Sequence, residues 1–204
     1  MIGAGAAESR MIERAVELAA KMERIKTPAE SSEVLGHLRD RVSSIAKEEA
    51  WQEAVERAAG RVDSLLVGED EAGWCFGQGD YKPANIIFSE DGADIRGIID
   101  WGAWTEVKLP GYEVAFFLTD IATKKGASLV EVLMRWRDAL PTDPWAVTAL
   151  RSYEEHTGRV LSRDRWAAIM AWQWLKRLAP LADGVESQRL NYKYLDSMAN
   201  IYGA

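Results

Sequence analysis

The chain has 204 residues, 48% of them hydrophobic and nine of them tryptophan, which is enough for one well-buried core and short for two, so a single globular domain is expected. Lys and Arg total 25 against 32 Asp and Glu, and the resulting net charge of -7 offers no basic footprint, which argues against nucleic acid as a partner. One cysteine, Cys75, and two distant histidines, His37 and His156, provide neither an internal disulfide nor a zinc-binding spacing.

The opening stretch MIGAGAAESR lacks the basic and long apolar regions of a secretory leader, and no later run reaches the ~18 apolar residues of a membrane span. A cytoplasmic protein without a membrane partner is therefore expected. Gly3 and Gly5 resemble part of a phosphate loop, but no strand can precede them and Glu8 stands at the third glycine position, so they read as a frayed terminus. Over 8–26, Met11, Ala15, Leu18, Met22 and Ile25 recur at spacings of four and three and predict an amphipathic helix. Thr27, Pro28 and Glu30 form an N-cap signature for a second helix. Its stripe is Leu35, Leu38, Val42 and Ile45, and a further stripe of Trp51, Ala54, Ala58, Val62 and Leu65 runs to about 67, as one helix or two.

A polar loop over 68–73, with the acidic run 69–71, then separates these helices from short strands at 74–76, 85–88 and 95–99, with a turn at 89–92. Cys75 is expected to be a buried strand residue. Residues 101–111 read as a connection, after which helices are predicted over 112–123, 129–139, 145–156, 164–178 and 185–201, with Asp143 and Pro144 opening the third. The expected class is α+β and mainly helical, in three parts: helices over 8–67, a small β element over 74–100 and a helical subdomain over 112–202. The histidines fall on helices without acidic or cysteine partners, and Trp166, Met170, Trp172 and Trp174 suit core packing better than a ligand box.

The β element carries the stretch FGQGDYKPANIIF, residues 76–88, and IIDW, residues 98–101. Asp80, Asn85 and Asp100 are a carboxylate, an amide and a second carboxylate spaced so that they can converge. Phosphoryl transfer asks for an oriented hydroxyl and for Mg²⁺ held by hard oxygen ligands against nucleotide phosphates. Asp80 would accept the hydroxyl proton, Asn85 and Asp100 would hold the metal, and Lys82 would meet charge growing on the transferred group, with Pro83 stiffening the turn. Read blandly, Lys82 is a solvated turn lysine and Asp80 and Asn85 are loop caps.

GDYKPAN followed by IIDW resembles the catalytic loop and metal-binding segment of the aminoglycoside phosphotransferase and choline kinase family, which shares the protein-kinase fold. The resemblance implies that Asp80 is the catalytic acid-base group, that Asn85 and Asp100 are magnesium ligands, and that ATP is the phosphoryl donor to a hydroxyl of a small molecule. Lys82 takes its phosphate-contacting role from the similar Asp-x-Lys-Pro-x-Asn loop of protein kinases, which alone suggests a peptide hydroxyl as acceptor. LPGYEVA, residues 109–115, is similar to the family's D-P-A-Y-D-L-A, so Glu113 takes the place of the acid that buttresses the loop, while Leu109 replaces the first acid. Residues 16–28 look like the first helix after the interlobe hinge.

Gln78 stands in place of the family's histidine beside Gly79, so an amide has to supply the hydrogen bonds that pin the loop. The resemblance covers a C-terminal lobe only, and residues 1–204 hold no glycine-rich strand-loop-strand and no strand lysine paired with a helix glutamate. A companion chain is the expected source of the nucleotide lobe, and the interlobe face is expected to dock that companion or to mediate self-association. Lone-chain ATP binding is expected to be weak, and the rival reading is a non-catalytic, pseudokinase-like binding module or complex subunit.

Overall fold

A computed structural model of the chain describes residues 4–25, 31–67, 75–103, 105–179 and 188–202. Three helices come first: α1 (Ala4–Met22), α2 (Ser31–Ser43) and α3 (Glu49–Val67). The second and third stripes are thus two helices. The N-cap signature at Thr27, Pro28 and Glu30, the acidic run 69–71 and Trp74 lie outside the described residues.

Helix α1 corrects two expectations. Ala4 and Gly5 are its first residues and not a frayed end. Its buried face is also rotated from the expected stripe: Ile12, Ala15, Val16, Ala19, Ala20 and Met22 are buried, whereas Met11 and Leu18 are half-buried and Ile25 is 56% exposed. Small side chains explain the rotation, because an alanine-rich face lets α1 approach α6 and the first strand closely, which the bulkier stripe would not.

The β element comprises β1 (Cys75–Gly77), β2 (Ile86–Phe88), β3 (Ile95–Ile98) and β4 (Thr105–Lys108), with 3-10 turns at Pro83–Asn85 and Trp101–Ala103. It forms two separate antiparallel pairs. β1 lies beside β4, with Cys75 opposite Lys108 and Gly77 opposite Thr105, and β2 lies beside β3, with Ile86 opposite Ile98. Strand β4 falls in the expected connection 101–111. Pairing explains it, since TEVK has no apolar run to announce a strand and becomes one by completing the backbone hydrogen bonds of β1. Everything between Gly77 and Thr105 is consequently one excursion whose ends are tied together. Cys75 is fully buried on β1.

Five helices follow: α4 (Tyr112–Lys124), α5 (Leu129–Trp136), α6 (Pro144–Thr157), α7 (Arg163–Leu178) and α8 (Gln188–Tyr202). Their ends follow local chemistry. Ser128 and Glu131 make a reciprocal capping box on α5, Asp143 and Pro144 open α6, Gly158 closes it at φ 67, and Ser162 accepts the Arg165 N–H at the start of α7. Helix α5 stops before the expected residue 139, where Asp138 is drawn off by Arg61 and Arg137 and its carbonyl accepts from Arg163. Helix α8 begins at Gln188, and residues 180–187 lie outside the described residues.

Helix α3 packs on α7 and α8, α1 packs on α6, and α4 reaches α1, α5, α6 and α7. Trp136, Trp166, Trp172 and Trp174 are fully buried, with Trp136 and Trp166 edge to face at 6.1 Å. The aromatic residues of α7 are therefore core. His37 is exposed on α2 and His156 is half-buried on α6. Among the described residues, no helix is long and apolar enough to cross a membrane.

Candidate active site

The site is assembled where β1 ends. Gly79 has φ 96, a left-handed conformation that glycine alone adopts without strain, and there the chain turns away from the strand. Gln78 is fully buried, and its side-chain amide spends both ends. Nε2 donates to the carbonyls of Ile99 (3.2 Å) and Asp100 (2.5 Å), while Oε1 accepts the Asp80 N–H at 2.9 Å. One amide thus ties the loop to the segment that leaves β3. Glu113, in the first turn of α4, accepts the Gly79 N–H at 2.9 Å. Tyr81, fully buried, donates to the Ala15 carbonyl of α1 at 2.6 Å and lies 5.8 Å from the Phe117 ring. Burial, with Glu113 nearby, pushes its phenol well above the usual range, so it stays a neutral donor.

Three polar side chains meet in the loop. Asp80 Oδ2 accepts from Lys82 Nζ at 2.5 Å and from Asn85 Nδ2 at 3.0 Å, and Asn85 Nδ2 also donates to the Asp80 carbonyl at 2.9 Å. A carboxylate can only accept, so Asn85 must turn its NH₂ toward Asp80 and its carbonyl oxygen away. That oxygen, like Asp80 Oδ1, has no hydrogen-bond partner among the described residues.

Asp100 is brought alongside through its backbone. Gln78 holds its backbone carbonyl, and the preceding Ile99 N–H donates to the backbone carbonyl of Asn85 at 2.9 Å. Its φ of 57 is the one positive value among described non-glycine residues, a conformation that costs energy unless its surroundings enforce it. The exposed Asp100 carboxylate leans over the following 3-10 turn, 3.8 Å from where a Cβ on Gly102 would stand, and no hydrogen bond or ion pair occupies it among the described residues. The structure therefore joins Asp80, Lys82 and Asn85 directly and Asp100 by way of Gln78.

The donor set suits a small hard cation. The side-chain carbonyl oxygen of Asn85 and the Asp100 carboxylate are hard oxygen donors with no hydrogen-bond partner among the described residues, and Mg²⁺ commonly takes one or two protein ligands and completes its shell with phosphates and water. Among the described residues no three His, Cys, Asp or Glu side chains converge, which sets this pattern apart from an all-protein metal cage.

Sequence reasoning missed the loop's anchor, Tyr81, and an apolar shelf beside it. Ile87 and Ile99 are each 47% exposed and Trp101 39%, with Phe76 stacked on Trp101 at 6.0 Å. Paired isoleucines were the available signal. Neighbouring strand residues face opposite sides, so Ile87 points outward after the buried Ile86, and Ile99 follows β3 as the exposed member of the second pair.

A model of the phosphotransferase enzyme family, APH, matches residues 4–153, from the start of α1 into α6. A search of curated proteins finds no match.

Proposed function

Since the chain belongs to the phosphotransferase enzyme family, we propose that it is the C-terminal lobe of a kinase-like enzyme that transfers the γ-phosphoryl group of ATP to a hydroxyl of a small molecule. The observation that supports this most is the Asp80, Lys82 and Asn85 cluster, which leaves Asp80 Oδ1 and the side-chain carbonyl oxygen of Asn85 without a hydrogen-bond partner among the described residues. Mg²⁺, when bound, would neutralise phosphate charge and orient the transferred group. Asn85 and Asp100 would hold it. Asp80 Oδ1 takes the proton of the acceptor hydroxyl as the new O–P bond forms and the bond from the γ-phosphorus to the β–γ bridging oxygen breaks. Lys82 leaves Asp80 to meet the charge on the transferred phosphoryl oxygens. Ile87, Ile99 and Trp101 supply an apolar floor for a nucleotide ring.

The roof of that site is proposed to come from outside residues 1–204. The first described element is a helix and the first described strand, β1, runs straight into the loop, so no described strand ahead of β1 carries a covering lysine. A second reading, a non-catalytic binding module, is favoured by the Lys82 to Asp80 ion pair, which closes the loop on itself. Calorimetric titration of Mg-ATP separates the two. Weak binding by the chain alone, strengthened by a glycine-rich lobe encoded ahead of this segment or on a neighbouring chain, supports the enzyme. Absence of binding in both states supports the module, and tight binding by the chain alone removes the need for a second lobe.

A further inference from the structure

Glu23 lies just past the end of α1 and is buried, an unusual place for a carboxyl group. Its Oε1 accepts the Gly111 N–H at 2.6 Å and its Oε2 accepts the Tyr153 hydroxyl at 2.7 Å. Among the described residues, the ionisable groups that face it from the packed elements are Tyr153 on α6, Arg159 just beyond α6, Glu113 on α4 and Arg165 on α7. Gly111 is the N-cap of α4, with φ 89, and its position is confined, because a Cβ there would sit 2.8 Å from the Ile169 Cδ1 and 3.1 Å from the Leu161 side chain. Two residues further on, Glu113 holds the Gly79 N–H of the loop. An unbroken path therefore runs from Glu23 to Gly111, along the first turn of α4 to Glu113, and across to Gly79.

We infer that Glu23 is a positioning residue for the 78–85 loop: its carboxyl group fixes the N-terminus of α4, and α4 through Glu113 fixes Gly79. A negative charge suits that place, because the first N–H groups of a helix are unpaired within it and attract anions. Burial opposes the charge. It pushes the Glu23 carboxyl up to about 7, although the Tyr153 and Gly111 hydrogen bonds and Arg159 pull the other way. Gain of a proton at Oε2 reverses the Tyr153 bond, since the acid O–H then donates to the phenol oxygen, and it deprives the Gly111 bond of charge assistance. A single proton at Glu23 is accordingly felt at the start of α4 and, through Glu113, at the loop. This rests on the proposed function only in treating the 78–85 loop as the reacting one.

The test follows the Gly111 and Gly79 amide resonances of the full chain by heteronuclear NMR from about pH 5 to about pH 9, the range spanning neutrality. Both should move with a shared midpoint near 7. Glu23→Gln retains both contacts, with the amide oxygen accepting from Gly111 and its NH₂ donating to Tyr153, and should abolish that midpoint at both amides. Tyr153→Phe removes a bond that favours the carboxylate and should raise the midpoint. His156→Gln, which removes the imidazole of α6, should leave it in place. A Gly79 resonance that stays flat while Gly111 titrates, or that still titrates near 7 in Glu23→Gln, overturns the inference. Should Glu23→Gln fail to fold, an unmoved midpoint in Tyr153→Phe overturns it equally. None of these readouts requires phosphotransfer, so they stand or fall apart from the proposed activity.

Discussion

Two buried regions of this molecule are held by different forces. Around α7, which packs against α3, α5 and α8, Trp136, Trp166, Trp172 and Trp174 are fully buried in the apolar core. Around the 78–85 loop, Gln78, Asn85 and Glu113 are just as hidden but work through hydrogen bonds to single named atoms. Apolar packing is non-directional and scales with area, so it fixes stability and tolerates small rearrangements. Hydrogen bonds are directional and contribute little net energy each, so they fix where the loop's atoms sit. Stability and site geometry are thereby assigned to different residues, and substitutions should separate them.

The largest expected effect lies in the aromatic region. Trp172→Ala should cost about 3–5 kcal/mol, the usual penalty for emptying a buried aromatic site, read as a fall in the denaturant midpoint. At temperatures where the variant remains folded, the Gly79 and Asp80 amides should keep their exchange protection.

Next comes a pH effect from Glu23, whose charge sits among polar contacts yet acts on the whole fold. Its carboxyl is raised from the ordinary 4.5 to about 7, so between those values the folded chain binds a proton that the unfolded chain has released. Stability from this group is full below about pH 4.5 and declines as pH rises through 7, by on the order of 3 kcal/mol in all. Denaturant titrations across that window should show the decline in wild type and a flatter profile in Glu23→Gln.

A smaller loss of stability with a larger loss of order is expected at the loop. Gln78→Leu keeps the volume but leaves the Asp80 N–H and the Ile99 and Asp100 carbonyls without their partner. It should cost roughly 1–3 kcal/mol and raise hydrogen exchange selectively at Gly79 and Asp80. Lys82→Ala should have the smallest stability effect, less than about 1 kcal/mol, because its ion pair with Asp80 is partly exposed. In an assembled enzyme the same substitution should depress kcat more than acceptor binding, and an unchanged kcat would return Lys82 to the role of a turn residue.

The comparison also explains what the sequence discloses. Repeating apolar positions and cap residues such as Ser128, Glu131, Asp143 and Pro144 are local signals, and the helices from α4 onward lie close to the positions read from them. The spacing of Asp80, Asn85 and Asp100 is local in the same sense and was legible as a candidate site. Features that depend on a distant partner were not. Strand β4 exists because β1 lies beside it, and the buried face of α1 is set by alanines whose value is close approach to α6. Glu23 looks like a solvated helix-end acid until Gly111 and Tyr153 arrive from far along the chain. The same holds for Asp100, whose φ of 57 cannot be read from IIDW alone.

The central claim, that Asn85 and Asp100 present oxygen ligands to a divalent cation beside Asp80, is tested most directly with Mn²⁺ as a paramagnetic probe on the full chain in the presence of ADP. Selective broadening of the Asp80, Asn85 and Asp100 amide resonances is the expected result, lost in Asn85→Ala and in Asp100→Ala while the spectrum otherwise remains that of the folded chain. Broadening that spares these three amides and appears instead at acidic surface positions such as Glu13 or Glu155, unaffected by either substitution, would contradict it.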